Sequence, residues 1–223
     1  MLSAEQIRCN AEAVRARIAA ACERSGRRPG DVTLVAVTKT FPAGAVDAAL
    51  EAGITHVGEN RVQEARDKIP AVRGRAVWHL IGHLQSNKAK DAVRLFDVIE
   101  SVDSLELAAK LAKIAVAAGK RQEILLQVNI GREPQKNGID PAEVEAVAAR
   151  VRSMEGLALR GLMTIPPIGT PEETRQWFAA LRGMRDSLGL EDLSMGMTDD
   201  FEVAIEEGST IVRIGRAIFG ARG

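Results

Sequence analysis

From Val32 onward, short apolar runs alternate with longer segments that carry apolar residues at helical spacing. Single helices between strands imply right-handed crossovers and a parallel sheet. Eight such units in about 190 residues predict a single (β/α)8 TIM barrel domain over residues 1–223, with an open doubly wound sheet as the alternative. The predicted strands are Thr33–Thr38, Thr55–Gly58, Val77–Ile81, Val98–Ser101, Ile124–Val128, Ala158–Met163, Asp192–Met195 and Ile211–Ile214. The predicted helices are Ala43–Ala52, Val62–Lys68, Lys88–Leu95, Ser104–Ala118, Pro141–Arg152, Glu172–Leu188, Phe201–Glu207 and Ala217–Gly220.

An additional helix precedes the alternating region. Ser3 and Gln6 have the spacing of a capping box, and an apolar stripe from Ile7 to Cys22 follows at helical spacing, ending near Gly26. We therefore expect residues 1–30 to form a helix packed on the barrel. Several later helix ends carry signals of their own. Asp140-Pro141 is typical of a helix start, and left-handed caps are expected at Gly53, Gly119, Gly189 and Gly208.

Composition limits the partners and the compartment. Lys plus Arg and Asp plus Glu both number 30, and this zero net charge argues against a nucleic-acid or membrane-surface partner. No apolar run approaches the roughly 18 residues that span a bilayer, and the amino terminus has no signal-peptide core. Cys9 and Cys22 would lie roughly 20 Å apart on one helix, too far for a disulfide. No spacing suggests zinc, so we expect a reducing cytoplasm and no metal site.

Lys39 is the most informative single residue, because it ends the first predicted strand directly before Thr40-Phe41-Pro42. Removing an ammonium from water is costly, and a lysine with a lowered pKa is an amine nucleophile that can form a Schiff base. The alternative is a strand-end lysine whose stem packs while its head reaches solvent.

The chemistry-bearing groups of the chain follow the strands, and in a barrel those strand ends share the rim that holds the active site. The last two groups resemble a phosphate site: Gly196 and Gly215 permit close backbone approach, and Ser194 and Thr198 offer hydroxyls. Thr198 could instead cap a helix starting near Asp199. A lysine that can react with a carbonyl, together with an anion site, favours a phosphorylated aldehyde as the ligand, namely pyridoxal 5'-phosphate.

Several ordered motifs resemble the YggS/PROSC family of pyridoxal phosphate homeostasis proteins, over the chain from Leu34 to the carboxyl terminus. They are Ala36-Val-Thr-Lys-Thr40, Gly58-Glu-Asn60, His79-Leu-Ile-Gly82 with Leu84-Gln-Ser-Asn-Lys88, Gly161-Leu-Met163, Ser194-Met-Gly-Met197 with Asp200, and Val212-Arg-Ile-Gly215 with Ile218-Phe-Gly-Ala221. The departures from the family pattern are Thr38 and Thr198 where serine is usual, and Gly131 after Asn129. The resemblance implies one barrel of the alanine-racemase type.

The resemblance also implies roles for individual residues. Lys39 matches the lysine that forms the Schiff base with the cofactor, and Arg213 resembles the arginine that faces the pyridine nitrogen. Gly215 and Thr198 match phosphate-contacting positions, with Ser194 beside them. Two further residues, Asn60 and His79, match motif positions near the ring. Asn60 could instead cap a helix beginning at Arg61, and His79 could be a satisfied histidine of the barrel interior.

Three functions are compatible with these residues. The first is a carrier or buffer of pyridoxal phosphate without catalytic turnover, and the resemblance favours this role in cofactor homeostasis. The second is a slow amino-acid racemase, which needs an acid/base on each face of the substrate. True racemases supply one of them as a tyrosine from an additional domain of a partner subunit, whereas this chain contains no tyrosine, leaving His79 or His83 as substitutes. The third is a Schiff-base aldolase without cofactor. We expect a monomer that donates the cofactor to apo-enzymes.

Overall fold

The computed structural model describes residues 2–220; Met1 and residues 221–223, including Ala221 of the last motif, lie outside the described residues. The strands are β1 (Thr33–Val37), β2 (His56–Glu59), β3 (Val77–Leu80), β4 (Val98–Val102), β5 (Gln122–Gln127), β6 (Leu157–Met163), β7 (Asp192–Ser194) and β8 (Ile211–Ile214). The α-helices are α1 (Ala4–Arg24), α2 (Ala43–Glu51), α3 (Val62–Lys68), α4 (Ala89–Leu95), α5 (Leu105–Ala117), α6 (Val144–Arg152), α7 (Pro171–Leu188), α8 (Phe201–Glu206) and α9 (Arg216–Phe219). Short 3-10 turns occupy Pro29–Asp31, Ile69–Ala71 and Ser86–Lys88.

The eight strands close into a parallel barrel in chain order, with β8 pairing back onto β1. Val35 of β1 lies opposite Arg213 of β8, and Gly58 of β2 lies opposite His79 of β3. The predicted (β/α)8 architecture is confirmed, and the open doubly wound sheet is wrong. Closure brings the first and last strands together, so Lys39 and the β8 motif share one rim.

The first helix follows its sequence signals. The Gln6 amide donates to Ser3 Oγ at 3.2 Å and the Ser3 amide donates to Gln6 Oε1 at 2.9 Å, which confirms the capping box. Its apolar stripe packs with α2, α8, α9 and the outer face of β1 and β8 in one buried cluster. Cys9 and Cys22 are both free thiols, as expected. No helix within residues 2–220 is long and apolar enough to span a membrane.

The helix ends follow their predicted signals with one exception. The φ angles of the four predicted glycine caps are all positive, at +76°, +63°, +60° and +95° for Gly53, Gly119, Gly189 and Gly208. The helix predicted to start at Pro141 begins instead at Val144. Asp140 Oδ1 accepts the Ala142 amide at 2.8 Å in a tight turn, so the expected capping residue serves the preceding loop.

The seam between β6 and β7 has no room for a side chain at Gly161, which pairs with Asp192. A Cβ placed there would lie 2.0 Å from the Asp192 carbonyl oxygen, a backbone atom that can move only if the strands separate. We expect Gly161→Ala to destabilise the protein by about 1–3 kcal/mol, lowering Tm by roughly 2–12 °C in thermal unfolding.

The matched control is Gly183→Ala on the exposed side of α7, where an added Cβ meets nothing within 4 Å. This change should raise stability by about 0.4–1 kcal/mol because alanine loses less backbone entropy in a helix. Equal melting temperatures for the two variants would contradict the tight seam.

Candidate functional site

A cavity of about 270 Å³ opens at the carboxyl ends of the strands, beside Lys39. Its walls bring together five of the seven residues predicted for the site, namely Lys39, Asn60, Thr198, Arg213 and Gly215. Apolar side chains complete the lining together with an ion pair at the rim between Arg216 and Asp199; the further residues are Val37, Phe41, Ile81, Ile165, Met197 and Gly220. Lys39 follows the end of β1 by two residues, so the strand direction carries its side chain to the rim.

The other two predicted residues, His79 and Ser194, are not among the residues that line this cavity. Both are buried inside the barrel, on β3 and β7. Ser194 contacts Arg213 directly, whereas His79 lies further along the same hydrogen-bonded chain. The prediction that they contact the cofactor ring or its phosphate stays a prediction.

Arg213 is anchored from below the cavity. Its Nη1 donates to Ser194 Oγ, and its Nη2 donates to the carbonyl of Thr164 at 2.9 Å. The Ser194 hydroxyl in turn donates to Glu100 Oε2, which lies 4.0 Å from Arg213 Nη1. A buried guanidinium on β8 is therefore balanced by a buried carboxylate on β4, across the barrel interior.

The chain of hydrogen bonds continues from Glu100 to two histidines. A carboxylate only accepts, so His79 Nδ1 donates to Glu100 Oε1, at 2.7 Å. His79 Nε2 lies 2.9 Å from His56 Nδ1, and one proton joins the two rings. Burial, and secondly the neighbouring His79, lower the pKa of His56. His79 is therefore a hydrogen-bonded histidine of the barrel interior, which was the alternative interpretation of this residue from the sequence.

Charge balance in this interior network determines how its groups ionise. Burial opposes ionisation of Glu100, but the His79 hydrogen bond, the charges of His79 and Arg213 and the Ser194 hydroxyl outweigh it, so the Glu100 pKa lies below its ordinary value. Burial lowers the pKa of Arg213, while Glu100 and Asp200 act in the opposite direction. Arg213 remains a guanidinium because arginine starts far above neutral pH.

Neither of the two capping alternatives occurs. Helix α3 begins at Val62 with Arg61 at its cap position, and Asn60 Oδ1 is buried with no hydrogen-bond partner within residues 2–220. Helix α8 begins at Phe201, and the Met197 amide donates to Asp200 Oδ1 at 2.7 Å, so Thr198 does not cap it. Both side chains line the cavity instead.

The β7–α8 loop comes close to α8 because of Gly196. Its φ is +92°, a conformation that favours glycine, and an added Cβ would lie 2.6 Å from Ala204 Cβ. The sequence interpretation assigned Gly196 to close approach of a phosphate. Its φ angle and its close contact with Ala204 show that glycine is also needed there for packing against α8, and Thr198, two residues later, lines the cavity.

Four charged residues near the site, Glu59, Glu64, Lys68 and Glu100, were not predicted to act there. Glu100 is a buried carboxylate in the apolar run Val98–Val102, and an isolated charge in such a run was the available signal. Lys68 is buried at the end of α3 and contacts both Glu59 and Glu64. Its i,i+4 spacing to Glu64 was visible in the sequence, but the burial was not. Among the described residues, no group of three or more His, Cys, Asp or Glu is arranged to hold a metal ion.

A closed parallel barrel with a lysine at the end of β1 and a buried arginine on β8 defines a class of protein that the comparisons identify. Residues 9–223 match the model of the alanine racemase N-terminal domain. An alanine racemase from Clostridium difficile has the same fold, with a TM-score of 0.73 at 15% identity; the match covers 98% of this chain and 57% of the racemase.

Relatives of higher identity are pyridoxal phosphate homeostasis proteins. The one from Escherichia coli K12 is 43% identical over 223 residues, covering 96% of this chain and 95% of the relative. The structure of PipY from Synechococcus elongatus with PLP bound matches with a TM-score of 0.82 at 40% identity, covering 93% of this chain and all of PipY. The chain therefore belongs to the family of pyridoxal phosphate homeostasis proteins, within the alanine racemase N-terminal domain class.

The buried pair of Arg213 and Glu100 generates a pH-dependent prediction. Arg213→Met should cost about 3–5 kcal/mol of unfolding free energy at pH 7, because Glu100 keeps a buried charge without its cation. In the parent protein the lowered Glu100 pKa contributes stability that is present above its unfolded pKa and is lost as pH falls through the folded pKa. In the variant Glu100 is more easily protonated, so the difference in stability should shrink on acidification. Urea unfolding at pH 7 and pH 5 measures it.

Arg216→Met is the control for this experiment, since Arg216 pairs with Asp199 at the exposed rim. Its effect should stay within about 0.5 kcal/mol at both pH values. A pH-independent loss in Arg213→Met would show that lost packing, rather than the orphaned carboxylate, causes the destabilisation.

Proposed function

We propose that this chain binds pyridoxal 5'-phosphate as a Schiff base on Lys39 and carries or buffers the cofactor within the cell. The observation that carries the proposal is the cavity that unites Lys39 with Asn60, Thr198, Arg213 and Gly215. Family membership supports it, since PipY has been seen with PLP bound and the curated relatives are named for pyridoxal phosphate homeostasis.

The residues of the cavity fit this cofactor. Asn60 Oδ1 is a buried acceptor without a partner among the described residues, and a ring hydroxyl would supply the missing donor. Lys39, Arg213 and Arg216 outnumber Asp199 as charges on the wall, which favours an anion such as a phosphate. The volume of about 270 Å³ is close to the lower end of small-molecule sites, ~300 Å³.

Each residue would have a distinct task. Lys39 supplies the amine that joins the cofactor aldehyde, and the aldehyde oxygen leaves as water. Thr198 and the Gly215 backbone offer donors for the phosphate. Arg213, held by Ser194 and Thr164, presents a fixed positive charge for the pyridine nitrogen. When bound, the cofactor supplies an electron sink for reactions at the α-carbon of amino acids.

The guanidinium of Arg213 favours carriage over turnover. A permanent cation disfavours a proton on the pyridine nitrogen, which makes the ring a weaker electron sink. Racemisation requires less stabilisation but needs a second acid/base. His79 is engaged inside the barrel, and His83 lines a neighbouring depression where its Nδ1 lies 3.0 Å from Asp103. A slow racemase is the alternative function.

The cellular role that we propose follows from reversible binding. The protein would hold the reactive aldehyde as a covalent adduct and release it to apo-enzymes that require it. We further propose that it acts as a monomer in the cytoplasm, where its zero net charge and free thiols suit a soluble, reducing compartment.

The central test removes the amine. After incubation with pyridoxal phosphate and dialysis, Lys39→Ala should lose essentially all of the visible Schiff-base absorbance, because no other amine is placed to replace Lys39 in the cavity lining of the described structure. Lys90→Ala changes an exposed lysine of α4 and should keep the parent spectrum. Unchanged absorbance in the Lys39→Ala protein would refute the proposal.

A second experiment separates the carrier from the racemase. The loaded protein, given L-alanine in deuterated water, should show no inversion and no α-deuterium above the level of free cofactor. In a parallel assay it should restore activity to an apo-enzyme that requires pyridoxal phosphate. Inversion that depends on Lys39 would establish the racemase instead.

A further inference from the structure

The backbone immediately after Lys39 is strained. Thr40 has φ of +68°, one of two positive values at non-glycine residues within residues 2–220. A β-branched residue is a marked outlier in this region, and such strain costs on the order of 1–3 kcal/mol, so the surrounding structure must hold it. The Phe41 amide donates to the Thr38 carbonyl at 3.0 Å, which closes a four-residue turn with Lys39 and Thr40 at its centre. A positive φ at the third position is typical of a type II turn, where glycine is usual.

Side chains from α3 hold this turn on both sides of Lys39. Glu64 Oε1 accepts the backbone amide of Thr40, the residue after Lys39. Lys68 Nζ donates to the backbone carbonyl of Thr38, the residue before Lys39, at 2.7 Å. Glu64 and Lys68 also contact each other at 3.1 Å. One ion pair therefore spans the two peptide groups that flank the reactive lysine.

A buried carboxylate anchors this ion pair to the barrel. Lys68 Nζ lies 2.5 Å from Glu59 Oε1, and the same oxygen accepts the Thr38 hydroxyl at 2.6 Å. Glu59 belongs to β2, beside β1, and its side chain is fully buried. Burial of both charges would be costly without these contacts, and together they fix the Lys68 ammonium against the Thr38 carbonyl.

We propose that Glu64 and Lys68 act as positioning residues, which hold Thr40 in its left-handed conformation and thereby direct the Lys39 amine toward the cavity for Schiff-base formation. This inference rests on the proposed function of Lys39 but adds a role to residues outside the cavity lining. Positioning matters because covalent attachment requires the amine and the carbonyl carbon to meet in one geometry, whereas non-covalent binding of the phosphate and ring does not.

The test compares two ligands and three variants. Pyridoxal phosphate can form a covalent bond to the lysine through its aldehyde. Pyridoxine 5'-phosphate carries a hydroxymethyl group in place of the aldehyde, so it can bind only non-covalently. Glu64→Met, which removes the acceptor for the Thr40 amide, should weaken pyridoxal phosphate roughly tenfold and pyridoxine phosphate less than twofold. Thr40→Gly added to Glu64→Met should restore most of the loss, since glycine adopts positive φ at no steric cost.

Asp67→Met is the matched control, because it removes another carboxylate of α3 that pairs only locally with Arg66. It should leave both affinities unchanged. Equal weakening of the two ligands by Glu64→Met, or a failure of Thr40→Gly to restore pyridoxal phosphate binding, would overturn the positioning role.

A measurement without cofactor keeps this inference separate from the proposed function. Hydrogen exchange at residues 38–41 should become faster in Glu64→Met but not in Asp67→Met, because the Thr40 amide loses its acceptor. Unchanged exchange would overturn the positioning role of Glu64 even if Lys39 binds the cofactor. The parent protein could instead bind pyridoxal phosphate no more tightly than pyridoxine 5'-phosphate. Faster exchange in Glu64→Met would then still support the contact that holds Thr40, and only the proposed function would fail.

Discussion

The site depends on the interaction of the buried Arg213 guanidinium with Glu100 and Ser194. A charge inside a closed barrel cannot rely on bulk water, so protein groups must satisfy it. Glu100 on β4 and the Ser194 hydroxyl on β7 provide that balance for β8, across the barrel interior. The three strands meet in this way only if the barrel is closed and in register. The same contacts that satisfy the charge therefore fix the guanidinium at the wall of the cavity beside Lys39.

Local signals in the sequence were sufficient for most of the architecture. The strand Ile211–Ile214 and the helix Val62–Lys68 were predicted to the residue, because a compact apolar run and a regular stripe need no information from elsewhere. The helix start at Asp140-Pro141 was wrong for the opposite reason. An aspartate can cap a helix or close a turn with equal local chemistry, and the segment before α6 uses it for the turn.

The contacts around Arg213 could not be predicted from the sequence, because they join residues that are far apart along the chain. Ser194 and Glu100 are 94 residues apart and meet only through barrel closure. The motif spacing placed Lys39, Thr198 and Gly215 on one rim, yet it could not tell which side chains would line the cavity. His79 and Ser194 belong to the same set of family motifs but are not among the residues that line the cavity. Ser194 bonds to Arg213, and His79 bonds to Glu100 deeper in the barrel.

Two lysines lie near the carboxyl end of β1, and they have different surroundings: Lys68 contacts the Thr38 carbonyl, whereas Lys39 lines the cavity. The ammonium of Lys68 has three donors and three acceptors within reach, the Thr38 carbonyl, Glu59 and Glu64, so its hydrogen-bonding capacity is fully used in holding the backbone. Lys39 lies on the cavity wall, and Glu64 and Lys68 bond to the peptide groups on either side of it.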